Sequence, residues 1–405
     1  MNAPLLDAPN FETGRSDPRL AECLDGFPPA IFSEQLYQSI ELMERYSIEL
    51  AIDLLGQLNL TEQLGTWRSA DELCGIFGFQ PRFSVALQWI LERLIETGCI
   101  EAQSVNGRRR YRLRQTPWQP NLKYFRALGL NIDPANAATL DLLDYAASAY
   151  LAVAMSEQSG DHNLFGPQGV PLWLNYFSND NLTYAVNNWV GAAAAADRLS
   201  SRPTLRILEI GAGTGSATEI LLRLLGEREL LPRVERYIVT EPNAYFRRCN
   251  QRKLKAQYPN LPLEWTTVDL NLPWGVQGIG VGEFDLVYAV NVMHISKDLL
   301  FTLNEARSAL ATEGWLVIGE CLRPYDHQPM YPELMFQILD SFTSVETDPE
   351  IRPNPGFLTA GQWHHAFLRT AFTRTETAPD IERIREIYPH FFTGAICGQK
   401  TTAAK

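Results

Sequence analysis

The chain has 405 residues, 45% of them hydrophobic, and a formal net charge of −12. That length supports two cores, and the acidic balance counts against a general nucleic-acid binder because it repels phosphate backbones. The six cysteines form no C-x-x-C pair and no regular spacing, no uncharged apolar run reaches membrane-spanning length, and the N-terminus lacks a signal-peptide pattern; the expectation is a cytoplasmic protein without a disulfide framework, zinc ribbon or membrane partner.

Residues 1–30, rich in Pro, Asp and Asn, read as a disordered lead-in. From Ser33 the apolar residues Leu36, Ile40, Met43, Ile48, Ala51 and Leu55 recur at helical spacing. Ser69-Ala-Asp-Glu72 is a capping-box pattern opening a short helix that ends near Gly75–Gly78. Pro81 suits the first turn of a longer helix whose buried stripe includes Leu87, Ile90, Leu91 and Leu94. Asn106-Gly107 marks a hairpin turn. Helix, helix, helix, hairpin over residues 31–116 is the order of a winged helix. The wing carries Arg108, Arg109, Arg110, Arg112 and Arg114, but the helix that would read DNA offers only Arg82 and Arg93 beside Glu92 and Glu96. A packing or dimerisation module is the better expectation, and a homodimer fits it. Residues 35–115 resemble the N-terminal winged helix of small-molecule O-methyltransferases.

Residues 117–200 read as a helical linker and lid: a linker from Pro117 to Pro134, a helix from Ala135 to Met155, and a polar break at Ser156–Gly169 with Asp161 and His162 as solvated loop residues. An aromatic segment carrying Trp173, Tyr176, Phe177, Tyr184 and Trp189 follows.

Residues 201–405 form the second domain. Leu205–Ile210 reads as a strand, Gly211-Ala-Gly-Thr-Gly215 as a turn, and the residues after it as a helix. Further strands are expected at Arg236–Thr240, ending beside Glu241; at Leu263–Val268, ending beside Asp269; at Glu283–Val292, leading into Asn291-Val-Met-His294; and at Gly314–Glu320. Strands alternating with helices imply an α/β, doubly wound, Rossmann-like sheet whose ligands sit beyond the strands' carboxyl ends. Gly211–Gly215, Glu241, Asp269, His294 and Glu320 all fall there.

Glu209 and the glycines make E-x-G-x-G-x-G, which resembles the first motif of class I S-adenosylmethionine (SAM)-dependent methyltransferases. The run from Phe284 to Glu320 resembles the later motifs of polyketide-synthase C-methyltransferase domains, with Ile295-Ser296 in place of the usual Ala-Thr. The resemblance covers residues 165–400 and implies a seven-stranded sheet completed by strands near Phe372–Thr377 and Phe391–Gly398. It implies SAM held by Glu209, Gly211, Ala212, Gly213, Gly215, Glu241, Pro242, Asp269, Leu270 and Asn291. It implies His294 as a base assisted by Glu320, with Tyr176, Trp189, Met293, Tyr331 and Met335 towards the acceptor. A substrate cap is expected at 322–354, containing a helix from Tyr331 to Phe342, and a helix opens in the motif Pro355–Trp363. The acceptor is a small molecule, free or tethered to a carrier protein, and no metal is implied. O-methylation of a hydroxy acceptor through His294, or a non-catalytic DNA-binding regulator, are the alternatives.

Overall fold

The computed structural model describes residues 17–28, 31–156 and 158–401. They fall into two units: residues 34–176 with 325–344, and residues 177–324 with 345–401 and the segment before 34.

In the first unit the helix Glu34–Gln57 buries Leu36, Ile40, Met43, Leu50 and Leu54, the stripe its apolar spacing predicts. The helix Ala70–Phe77 opens on the expected capping box, Ser69 Oγ accepting from the Glu72 N–H and the Glu72 carboxylate from the Ser69 N–H, and stops at left-handed Gly78. The helix Ser84–Ile95 follows, then strands β1 (Ile100–Val105) and β2 (Arg108–Leu113), paired antiparallel. Asn106 and Gly107 both have positive φ, 51° and 74°, as a tight hairpin turn requires. Arg109 pairs with Glu92, Arg110 with Glu72 and Arg112 with Glu101. These wing arginines are therefore engaged with carboxylates, which weakens a DNA-binding reading further.

Three sequence expectations are corrected here. The linker expected at Pro117–Pro134 contains a helix, Leu122–Ile132, because the Asn121 side chain accepts from the Tyr124 N–H at its start and Phe125 and Ile132 find buried places. The polar break contains a short helix, Gly160–Leu164, and Asp161 is half-buried; its Oδ2 accepts from the Asp340 N–H at 2.8 Å. His162 is exposed as expected. The helix expected from Tyr331 to Phe342 is two short ones, Glu333–Phe336 and Asp340–Thr343, the second starting where Asp161 receives that backbone donor.

Although it follows a strand of the second unit in sequence, segment 325–344 packs within the first. Trp89 Nε1 donates to Glu333 at 3.0 Å, Tyr150 OH to the Leu334 carbonyl at 2.7 Å, and Arg93 to the Pro329 carbonyl at 2.9 Å and to the Glu44 carboxylate.

The second unit holds β3 (Leu205–Ile210), β4 (Val234–Thr240), β5 (Leu263–Thr266), β6 (Phe284–Val290), β7 (Leu310–Cys321), β8 (Thr373–Ala378) and β9 (Thr393–Gln399). They form one seven-stranded sheet in the order β5-β4-β3-β6-β7-β9-β8, with β9 antiparallel to β7 and β8. Every residue of β6 is buried, as a strand covered on both faces should be. Strand order reverses between β3 and β6, so the crevice at their carboxyl ends is the place where such sheets bind ligands. Of the expected lead-in, residues 1–16 and 29–30 lie outside the described residues. In the described remainder Pro18–Leu20 form a 3₁₀ turn capped by Asp17, and Leu20 and Leu24 are buried. Among the described residues no helix is long and apolar enough to cross a membrane.

Candidate active site

Backbone geometry dictates the turn after β3. Gly211, Gly213 and Gly215 have φ of 64°, 53° and 84°, a region that L side chains enter at a cost. A Cβ on Gly211 would stand 2.5 Å from Val292 Cγ2, and one on Gly215 2.8 Å from Asn250 Cγ. Added at Gly213 it would meet nothing within 4 Å. The turn therefore needs glycine for packing at its two ends and leaves open space at its middle.

Glu241 faces that opening from the end of β4. Its Oε2 accepts from the Gly213 N–H at 2.8 Å and its Oε1 from the Asn243 N–H at 2.7 Å. Burial pushes its pKa up, while these two backbone donors pull it down. A carboxylate has about four lone-pair sites, so acceptor capacity remains for two hydroxyls. Ala212 is fixed by its N–H to the Thr240 carbonyl at 2.8 Å, and Pro242 is exposed just beyond. The chemistry of this donor set, an open glycine turn beside a carboxylate, fits the adenosine half of SAM.

Glu209 lies below the glycine turn, on β3. It is 1% exposed, and its Oε2 accepts from the Tyr237 hydroxyl at 2.6 Å. Burial raises its pKa to about 7, with the Tyr237 and Thr218 hydroxyls opposing. It ties β3 to β4 beneath the turn. Asp269 is exposed and accepts from the Asn271 N–H at 2.9 Å, and Leu270 beside it is buried. Since β5 ends at Thr266, Asp269 lies on the following turn, not at the strand's end.

Where β6 ends, Asn291 adopts φ 50°, its N–H bonds the Gly319 carbonyl at 2.8 Å, and its Oδ1 accepts from the Cys321 N–H at 3.2 Å. The Asn291 side-chain oxygen thus joins β6 to β7. Asn tolerates the left-handed region, so the chain swings from β6 into a 3₁₀ turn, Met293–Ile295, carrying His294. Glu320 reaches this turn from β7, the parallel neighbour of β6. His294 Nδ1 lies 2.8 Å from Glu320 Oε2, while Glu320 Oε1 accepts from the backbone N–H groups of Met293 and His294 at 3.1 and 3.3 Å. His294 is 4% exposed and Glu320 fully buried. Phe357 packs against the imidazole, centroid to centroid 4.5 Å. Sequence reasoning missed Phe357, since only its place in the Pro355–Trp363 motif set it apart.

Of the expected acceptor residues, Met293 is buried beside His294, while Tyr176, Tyr331 and Met335 are buried within the other unit. Over the ring of Trp189 stands Arg223 at 5.1 Å, a cation–π contact to the neighbouring helix. Among the described residues no group of three or more His, Cys, Asp or Glu is arranged to hold a metal ion.

A family model described as a methyltransferase domain matches residues 208–316. The hybrid PKS-NRPS synthetase buaA of Petromyces alliaceus is 34% identical over 200 residues, 48% of this chain and 5% of that protein. Three curated relatives are matched over only 7%, 5% and 8% of their own length. Among solved structures, the CurJ carbon methyltransferase superposes with a TM-score of 0.77 at 25% identity, over 95% of this chain and 97% of that one. The citrinin polyketide synthase CMeT domain superposes with a TM-score of 0.69 at 18% identity, over 89% and 90%. Residues 208–316 thus match a methyltransferase domain, and the chain has the fold of the CurJ carbon methyltransferase and of the citrinin polyketide synthase CMeT domain.

Proposed function

We propose that the chain methylates the α-carbon of a β-ketoacyl thioester, with His294 as the base and Glu320 as its partner. The observation that carries this reading is the buried 2.8 Å contact between His294 Nδ1 and Glu320 Oε2. A carboxylate only accepts hydrogen bonds, so it selects the tautomer protonated at Nδ1 and leaves Nε2 with a lone pair. That nitrogen takes the acceptor's α-proton, and the Glu320 charge stabilises the imidazolium. The residual pair on the α-carbon becomes the nucleophile, and the proton passes from His294 to solvent after transfer. The electrophile would be the sulfonium methyl of bound SAM, which would leave as S-adenosylhomocysteine once the α-carbon has taken the methyl. Gly211, Ala212, Gly213 and Gly215 would shape the turn that holds SAM, Glu241 would accept its ribose hydroxyls, and Pro242, Asp269 and Leu270 would border its adenine.

The CurJ protein's description as a carbon methyltransferase and the polyketide-synthase names of the relatives favour a carrier-tethered thioester as acceptor. Helices 34–57, 70–77 and 84–95 with their hairpin serve packing or dimerisation in this reading.

The test is proton exchange without methyl transfer. In D₂O, without SAM, the protein should wash deuterium into the α-carbon of acetoacetyl N-acetylcysteamine above the buffer rate, and His294→Ala should not. Methylation of a phenol or hydroxyl without such exchange would select O-methylation instead.

A further inference from the structure

Arg352 lies outside every motif the chain displays, yet it is 1% exposed. Its guanidinium is spent on backbone carbonyls: Nε donates to Glu346 O at 2.8 Å, Nη1 to Ser296 O at 2.8 Å and His294 O at 3.3 Å, and Nη2 to Lys297 O at 2.7 Å. Burial pulls its pKa down to about 10, against the raising effect of Asp298 and Glu346, so it remains charged at neutral pH. Burying a guanidinium costs several kcal/mol unless its donors are satisfied. Here carbonyl dipoles satisfy it, and three of them belong to the stretch 294–297.

That stretch has no ladder of its own to hold it. Met293–Ile295 is a single 3₁₀ turn, and residues 296 and 297 join it to the helix Leu299–Ala309. Its N–H side is taken by Glu320 Oε1 and its carbonyl side by Arg352, so the His294 peptide is gripped at both ends. The planar fork of a guanidinium fixes several acceptors at once, which an ammonium or amide does less completely. Arg352 itself stands on a braced turn. Its N–H and carbonyl bond Asp348 at 2.8 and 2.9 Å, the Glu346 N–H bonds Lys297 O at 2.8 Å, and the Asp348 carboxylate accepts from Arg369 at 2.7 Å. Five residues on, Phe357 of the same segment packs against the imidazole.

We infer that Arg352 is a positioning residue for methyl transfer: it clamps the carbonyls of the His294 turn so that the imidazole stays registered between Glu320 and Phe357. The inference rests on the reading of His294 as the base.

Arg352→Gln, Arg352→Lys, His294→Ala and the His294→Ala/Arg352→Gln double variant are compared by thermal melting, SAM titration and steady-state methyl transfer to acetoacetyl N-acetylcysteamine. A misplacement of about 1 Å costs on the order of 100-fold in rate. Arg352→Gln should therefore lower kcat about 100-fold and Arg352→Lys about tenfold, with SAM affinity within about twofold of wild type. The double variant should be no slower than His294→Ala alone, because residues acting through one group are non-additive. If the glutamine variant does not fold, the lysine variant decides. Wild-type kcat in a folded Arg352→Lys and Arg352→Gln, or a double variant slower than His294→Ala by the full Arg352→Gln factor, overturns the inference alone. A fully active His294→Ala overturns the base reading beneath it.

Discussion

Glu320 holds His294 by both its ring and its backbone: one carboxylate oxygen lies 2.8 Å from the imidazole Nδ1, and the other accepts the residue's own N–H at 3.3 Å. The two residues sit at the carboxyl ends of adjacent parallel strands, β6 and β7. Neither oxygen is left facing apolar surroundings without a donor, so the pair is affordable in a dry interior.

Glu320→Gln tests the orienting role. An amide is also able to donate to Nδ1, which would turn the imidazole lone pair away from the acceptor. We expect kcat to fall by about 10³-fold with SAM affinity unchanged within about twofold. The check is steady-state transfer alongside SAM titration by calorimetry.

Glu241→Ala separates binding from chemistry. Losing charge-assisted bonds to a ribose diol should weaken SAM by about 2 kcal/mol, or about 30-fold in Kd. At saturating SAM the exchange of the acceptor's α-proton should persist.

Gly211 and Gly213 should respond differently to alanine. Gly211→Ala combines a left-handed φ with a 2.5 Å approach to Val292, and should destabilise the fold by about 2–4 kcal/mol, seen in the melting temperature. Gly213→Ala bears only the backbone cost, about 1–2 kcal/mol, because its Cβ meets no protein atom within 4 Å. Its larger effect should be on SAM affinity, since the new methyl projects into the opening.

Glu209 gives the fold a pH dependence. Its pKa is raised from 4.5 to about 7 by burial, so the folded state binds its proton more tightly than the unfolded chain does. The stability this provides is present at low pH and lost as pH rises from about 4.5 to 7, a change on the order of 3 kcal/mol. Glu209→Gln should flatten that part of a denaturation-versus-pH curve and be the more stable protein at pH 8.

The sheet and the dyad were legible because each rests on local chemistry: glycines at left-handed turns, apolar strands, and acids or a histidine at strand ends. The bond of Glu209 to Tyr237 was not legible, because the motif gives its position in sequence but not the side of β3 on which its carboxylate is buried. The Arg223 contact of Trp189 was not legible, because helical spacing shows that an aromatic packs, not that an arginine from the neighbouring helix covers it. The helix Leu122–Ile132 was hidden by the prolines that flank it, and its Asn121 cap becomes visible only with the structure. Arg352 had no signal, since it acts through carbonyls, which every residue carries.

The central claim is that His294 removes a proton from carbon so that carbon receives the methyl. Incubating the protein with acetoacetyl N-acetylcysteamine and SAM labelled with ¹³C at its methyl, then locating the label by NMR, tests this most directly. The account predicts a methyl bonded to the α-carbon with the wild type, and the same product formed about 10²–10⁴-fold more slowly with His294→Ala. A methyl bonded to oxygen, or carbon methylation at the wild-type rate by His294→Ala, would contradict it.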